Sequence, residues 1–270
     1  MATPARSRIA APFVTALVLV GCGGVERGVS TAAEVPAADA VPVKVIKAYP
    51  HDPLAFTQGL LIEDGVLYES TGEYGESTLR IVDLETGKPR KLVRLSRRLF
   101  AEGLAAIDDR LVQLTWQAGI GVVYDRETLK PTGRFSYRGE GWGLTADGER
   151  LYMSDGSATI RVLDPETFRV VDRIGVTLGG RPLKRLNELE WVGGEIYANV
   201  WFEPFIARID PATGVVVGRI DCSAVVARYR RAEHQVLNGI AFDRDSGRLF
   251  ITGKDWPVLL EVERPPVDGD

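Results

Sequence analysis

A unit of about 40 to 45 residues recurs along the chain, and a repeat of that size restricts the possible folds more than any other feature. Short strands led by an apolar pair begin at Leu67 (LYESTG), Leu111 (LVQLTW), Leu151 (LYMSDG), Ile196 (IYANVW) and Leu249 (LFITGK). Behind each of the first four comes an alternating apolar segment. An Asp-led turn with a threonine at a fixed offset then follows: VDLETG (82–87), YDRETL (124–129), LDPETF (163–168) and IDPATG (209–214). Asp and Gly supply turn chemistry, and the Val, Ile and Phe residues beyond them restart a strand. Repeats of this length built from several short strands are the signature of propeller blades, and five copies imply five blades. The last copy runs out after VLLEVE (258–263), one strand short, whereas VKVIKAYP (43–50) precedes the first complete copy and alternates as a strand should. The expected fold is therefore all-β, a five-bladed β-propeller closed by an N-terminal strand that joins the last blade and hides both edges. A β-sandwich is the alternative, and the regular recurrence argues against it.

A second element repeats just ahead of each leading strand: TQGLLIEDGVLY (57–68), AEGLAAIDDRLV (101–112), GWGLTADGERLY (141–152), LNELEWVGGEIY (186–197) and LNGIAFDRDSGRLF (237–250). Gln58, Glu102, Trp142, Asn187 and Asn238 stand before the Gly-Leu-like pair of each. The innermost strand of every blade lines the central channel, so equivalent positions converge on one axis. Five residues into each leading motif stand Gly72, Trp116, Gly156, Trp201 and Lys254. Three tryptophans and one amine are thus expected beside Glu102 at one channel mouth, the composition of a small-molecule or side-chain pocket. A carboxylate among apolar neighbours is costly unless paired, and Lys254 is its candidate partner.

Charge and composition exclude other classes. With 33 basic against 37 acidic residues and no long basic run, nucleic acid is not an expected partner. The only histidines are His51 and His234, and neither HExxH nor CxxC spacing occurs, so no metal site and no cofactor are expected.

At the N-terminus, Arg6 and Arg8 precede APFVTALVLVG, which is too short to span a bilayer but suits a secretory signal, assigned to residues 1–21. That run ends in LVGC (19–22), which resembles the bacterial lipobox and makes Cys22 the expected lipidation site. Export to the periplasm with a lipid anchor as the sole membrane contact follows from this reading. Residues 22–42 read as a flexible tether, 43–263 as the propeller and 264–270 as a tail. Cys222 is then left without a disulfide partner and reads as a semi-buried core thiol.

The strings HDPLAFTQGL (51–60), YESTGEYG (68–75), EGL (102–104), GWGL (141–144), RLNELE (185–190), NVW (199–201), LNGIAF (237–242) and TGKDWP (252–257) resemble the plant and bacterial type of glutaminyl-peptide cyclotransferase. The likeness spans nearly all of residues 44–263. It implies a monomeric five-bladed propeller, unrelated to the zinc-dependent animal enzymes, that converts N-terminal glutamine of peptides and proteins to pyroglutamate with release of ammonia. It also implies roles. Glu102 becomes the general acid and base, and Gln58 and Asn187 bind the substrate amide and backbone. Lys254 stabilises an anionic oxygen or anchors a carbonyl, and Phe56, Trp116, Trp142 and Trp201 wall the pocket. Asn238 matches the repeat and is included among the substrate-binding residues. The alternative is a non-catalytic periplasmic propeller acting as a binding scaffold, which gives no reason for a carboxylate at position 102.

Overall fold

The computed structural model describes residues 38–266. The expected signal at 1–21, Cys22, most of the tether and the end of the tail lie outside the described residues.

Five antiparallel sheets form the five blades. Blade 1 comprises Thr57–Glu63, Val66–Thr71, Thr78–Val82 and Pro89–Arg94; blade 2 comprises Ala101–Ile107, Arg110–Thr115, Ile120–Asp125 and Pro131–Ser136. Blade 3 comprises Leu144–Ala146, Leu151–Met153, Thr159–Leu163 and Val170–Gly175; blade 4 comprises Leu186–Val192, Glu195–Val200, Phe205–Ile209 and Val216–Asp221. Blade 5 has Leu237–Asp243, Arg248–Gly253 and Val258–Val262 from the C-terminal end of the chain, and Val45–Pro50 pairs antiparallel with the last of these. The N-terminal strand thus closes the ring. Tyr49 on that strand is buried between blades 5 and 1 and donates its hydroxyl to Glu261 at 2.9 Å. Ala40–Pro42 pairs parallel with Val216–Asp221, so the last three residues assigned to the tether belong to the sheet of blade 4. A three-residue parallel pairing has no local sequence signature. The short helix Ser223–Tyr229 connects blades 4 and 5, and among the described residues no helix is long and apolar enough to cross a membrane.

The Asp-led turns behave as their residues dictate. Asp83 accepts from the Thr86 amide at 3.0 Å and hydroxyl at 2.9 Å, and Asp164 accepts from the same two groups of Thr167 at 2.8 and 2.7 Å. The residue after each threonine is left-handed, with φ of 66° at Gly87, 54° at Leu129, 54° at Phe168 and 72° at Gly214. Its amide donates to the carbonyl of the turn's own Asp, which reverses the chain into the outermost strand.

The inner strands of blades 1, 2, 4 and 5 each carry a register shift at the repeated polar residue: between Thr57 and Gly59, Ala101 and Leu104, Leu186 and Leu189, and Leu237 and Ile240. In blade 2, Glu102 and Gly103 therefore oppose a single partner residue. A bulge re-aims a side chain off the regular pleat, which is how a buried apolar strand presents a polar group toward the axis. The following glycine is required by crowding, because a Cβ on Gly103 would sit 2.4 Å from the Leu144 amide nitrogen of the next blade. Blade 4 departs from this pattern. It carries Glu188 there, and the carboxylate accepts from the Leu60 amide at 3.3 Å and the Ile240 amide at 2.9 Å, joining three blades.

Candidate active site

At one end of the channel a cavity of about 250 Å³ is lined by Phe56, Gln58, Glu102, Trp116, Trp142, Asn187, Trp201 and Lys254, together with Glu73 and Phe100. Eight of the residues singled out by the repeats and the resemblance thus meet in one place. The polar members are deeply set, with Gln58, Glu102, Asn187 and Lys254 between 3% and 5% exposed, while the aromatic members are half-buried around them.

Spacing along the repeats builds the aromatic wall. In blades 1 and 3 the second repeated position is Gly72 and Gly156, and the freed space is filled by neighbouring rings. A Cβ on Gly72 would lie 2.4 Å from the Phe100 ring, and one on Gly156 would lie 2.7 Å from Trp142. Blades 2, 4 and 5 place Trp116, Trp201 and Lys254 at that position instead. Trp142 meets Trp201 edge-on at 5.4 Å between centroids, and Phe100 meets Trp116 in the same manner at 5.7 Å.

Gln58 Nε2 donates to Glu102 Oε1 at 3.1 Å. Asn238 lies behind this pair rather than in the cavity wall, and its Nδ2 donates to the Thr57 carbonyl at 2.9 Å and to Gln58 Oε1 at 3.3 Å. In this position it holds Gln58 in place. Lys254, the candidate charge partner of Glu102, stands off from it. No ion pair within 4.0 Å joins them, and the ammonium lies 4.6 Å above the Phe56 ring. The two still feel each other's charge. Burial pushes the Glu102 carboxyl well above its ordinary range, offset in part by Lys254 and reinforced by Glu140. Burial also pulls Lys254 down to about 8, against the opposing pull of Glu102. The Oδ1 of Asn187 is buried without a partner, an acceptor left open beside the cavity.

Glu140 has no counterpart in the other repeats, and the sequence reading missed it. Its Oε2 accepts from both Trp116 Nε1 at 2.8 Å and Trp142 Nε1 at 2.9 Å, while Oε1 accepts from Gln117 at 3.0 Å. One carboxylate thus fixes two indole planes of the wall. The available signal was its position two residues ahead of Trp142. His51, of the HDPLAFTQGL string, is outside the site. Its two ring nitrogens contact the Trp256 carbonyl at 2.8 Å and Glu69 at 3.0 Å, and Glu69 accepts from Thr57 at 2.8 Å, tying the closing strand to the first inner strand. No group of three His, Cys, Asp or Glu side chains that could hold a metal occurs among the described residues.

Comparison with known proteins bears on this geometry. The family model for glutamine cyclotransferase matches residues 16–264. A curated glutaminyl-peptide cyclotransferase from Arabidopsis thaliana is 43% identical over 226 residues, covering 82% of this chain and 71% of that protein. The crystal structure of Myxococcus xanthus glutaminyl cyclase superposes with a TM-score of 0.79 at 42% identity, covering 84% of this chain and 97% of that one. With matches spanning the whole propeller and every element of the cavity, the chain belongs to the glutamine cyclotransferase family.

Proposed function

We propose that this protein cyclises the N-terminal glutamine of peptides and proteins to pyroglutamate, with Glu102 moving the proton. The observation that carries the reading is the buried Glu102 carboxyl, held by Gln58 inside an aromatic-walled cavity on a chain of this family. The cavity holds roughly eight volumes the size of a water molecule's share of the liquid, ~30 Å³ each, which suits one amino-acid residue.

Both reacting groups belong to that residue, so the wall's work is to hold it in the rotamer that brings them together. The neutral α-amine attacks the γ-carboxamide carbon, forming the ring C–N bond and moving the carbonyl electrons onto oxygen. Lys254, cationic below about 8, donates to that oxyanion. Glu102 takes a proton from the attacking nitrogen and passes it to the leaving nitrogen, and the C–N bond to ammonia then breaks as the carbonyl reforms. A carboxyl whose pKa is raised toward the working pH accepts and returns a proton at comparable cost. The open Asn187 Oδ1 accepts from the substrate amide.

Ammonia release from a Gln-Ala-Ala peptide, with the protein treated beforehand with a zinc chelator, tests the proposal. Turnover is expected, and a folded protein that releases no ammonia removes it.

A further inference from the structure

An N-terminal residue can enter the cavity only if the rest of its polypeptide leaves over the rim. On the blade 1 side a groove of about 750 Å³ adjoins the cavity, with Phe56 and Glu73 lining both and standing at the junction between them. The basic depression around Arg138, Arg161 and Arg173 shares no lining residue with the cavity.

Most charges in the groove are already matched. Arg80 pairs with Asp52 at 2.8 Å, Arg94 with Glu76 at 3.4 Å, and His234 lies 3.5 Å from Asp255. Glu73 differs. It is exposed at the junction, and no hydrogen bond or ion pair within 4.0 Å engages its carboxylate among the described residues, although its charge reaches the Lys254 ammonium through space. Its backbone is left-handed, with φ of 82°, and is held there by the Glu76 amide, the Ser77 amide and the Ser77 hydroxyl, all of which donate to its carbonyl. A non-glycine residue keeps such a conformation only where its surroundings enforce it.

We propose that Glu73 and this groove form the subsite for the residue after the N-terminal glutamine, and that the subsite favours a cationic side chain there. The proposal rests on the cyclotransferase reading. An extended chain advances about 3.3 Å per residue, so with glutamine in the cavity the second side chain falls at the junction where Glu73 stands. A lysine or arginine there meets a carboxylate with no hydrogen-bonded or close ion-pair partner, whereas a glutamate meets like charge.

The test compares kcat/KM for Gln-Lys-Ala and Gln-Glu-Ala peptides at low and high salt, in wild type, Glu73→Gln and Glu73→Asn. The asparagine variant suits the left-handed backbone and guards against misfolding of the first. Wild type is expected to favour the lysine peptide by roughly two- to five-fold, the range of a solvent-exposed ion pair, with the preference shrinking in salt and falling toward one in both variants. Using the ratio cancels any effect of Glu73 on Lys254 that is common to both peptides. A wild-type ratio of one, or a preference that survives both substitutions, overturns the subsite and leaves the cyclotransferase reading standing. Absence of turnover with every glutamine peptide removes both.

Discussion

Replacing Glu102 by glutamine keeps the side chain's shape and its hydrogen bond from Gln58, and removes only the proton acceptor. The expected result is a folded protein whose kcat falls by on the order of 10²-fold or more with little change in KM, since what is lost acts chiefly in the transition state. Wild-type kcat in a folded Glu102→Gln protein would sink the assignment. Glu140 acts one layer out, on two indoles at once. Glu140→Ala frees both rings and is expected to raise KM several-fold. It also removes a negative charge that helps raise the Glu102 pKa, so the acidic limb of the kcat profile should move to lower pH. Lys254, the other charge facing Glu102, is untouched and continues to act in the same direction as before. Steady-state kinetics across pH separate the two effects. A change in stability alone, with KM and the profile unmoved, would mean that Glu140 only braces the fold.

Among the elements, the closing strand offers the plainest test of the ring. Tyr49→Ala removes a ring that is 3% exposed and packs against Phe250, and it should cost about 3–5 kcal/mol of unfolding free energy, the range for truncating a buried aromatic side chain. Denaturant unfolding measures it, and a loss below about 1 kcal/mol would show that the strand is dispensable. Blade count, closure by residues 43–50 and the convergence of Gln58, Glu102 and Asn187 were legible because each rests on local chemistry repeated at a fixed interval. An Asp with a Thr three residues on makes the same turn wherever it occurs, and an alternating strand left unpaired at one end must find the sheet left short at the other. The role of Glu140 was not legible, for it has no repeated counterpart and one of the two indoles it holds, Trp116, belongs to the preceding blade; the partners of Glu188 likewise lie in blades 1 and 5. The departure at Glu188, a charge where other blades place glycine, was visible in the aligned copies and passed over as a Gly-Leu-like pair. At Asn238, equivalence in the repeat fixed the bulge but not that its side chain would lie behind Gln58.

Across the whole molecule, the channel holds a second set of acids away from the cavity. Glu190 accepts from the Phe242 amide at 2.8 Å and lies 3.3 Å from the Thr145 hydroxyl, and burial pushes its carboxyl to about 8, with Arg244 opposing. Glu188 is pushed up as well, first by burial and then by the charge of Glu190. Between the ordinary value of 4.5 and about 8 the folded protein holds a proton on Glu190 that the unfolded chain has released. The stabilising contribution of this group is therefore complete below about 4.5 and lost as pH rises to about 8. Glu190→Gln reproduces the protonated shape, so its Tm relative to wild type should rise across that window, as a thermal melt series would show; a difference constant with pH would contradict the raised value. The closing strand has a consequence in time. Its partner, Val258–Val262, lies more than two hundred positions further along the chain, and the cavity draws residues from every blade, from Phe56 to Lys254. Closing so long a loop costs entropy before the pairing rewards it, which slows folding. A nascent chain therefore has neither a sealed ring nor a complete pocket until Val258–Val262 has been made, and it stays silent up to that point.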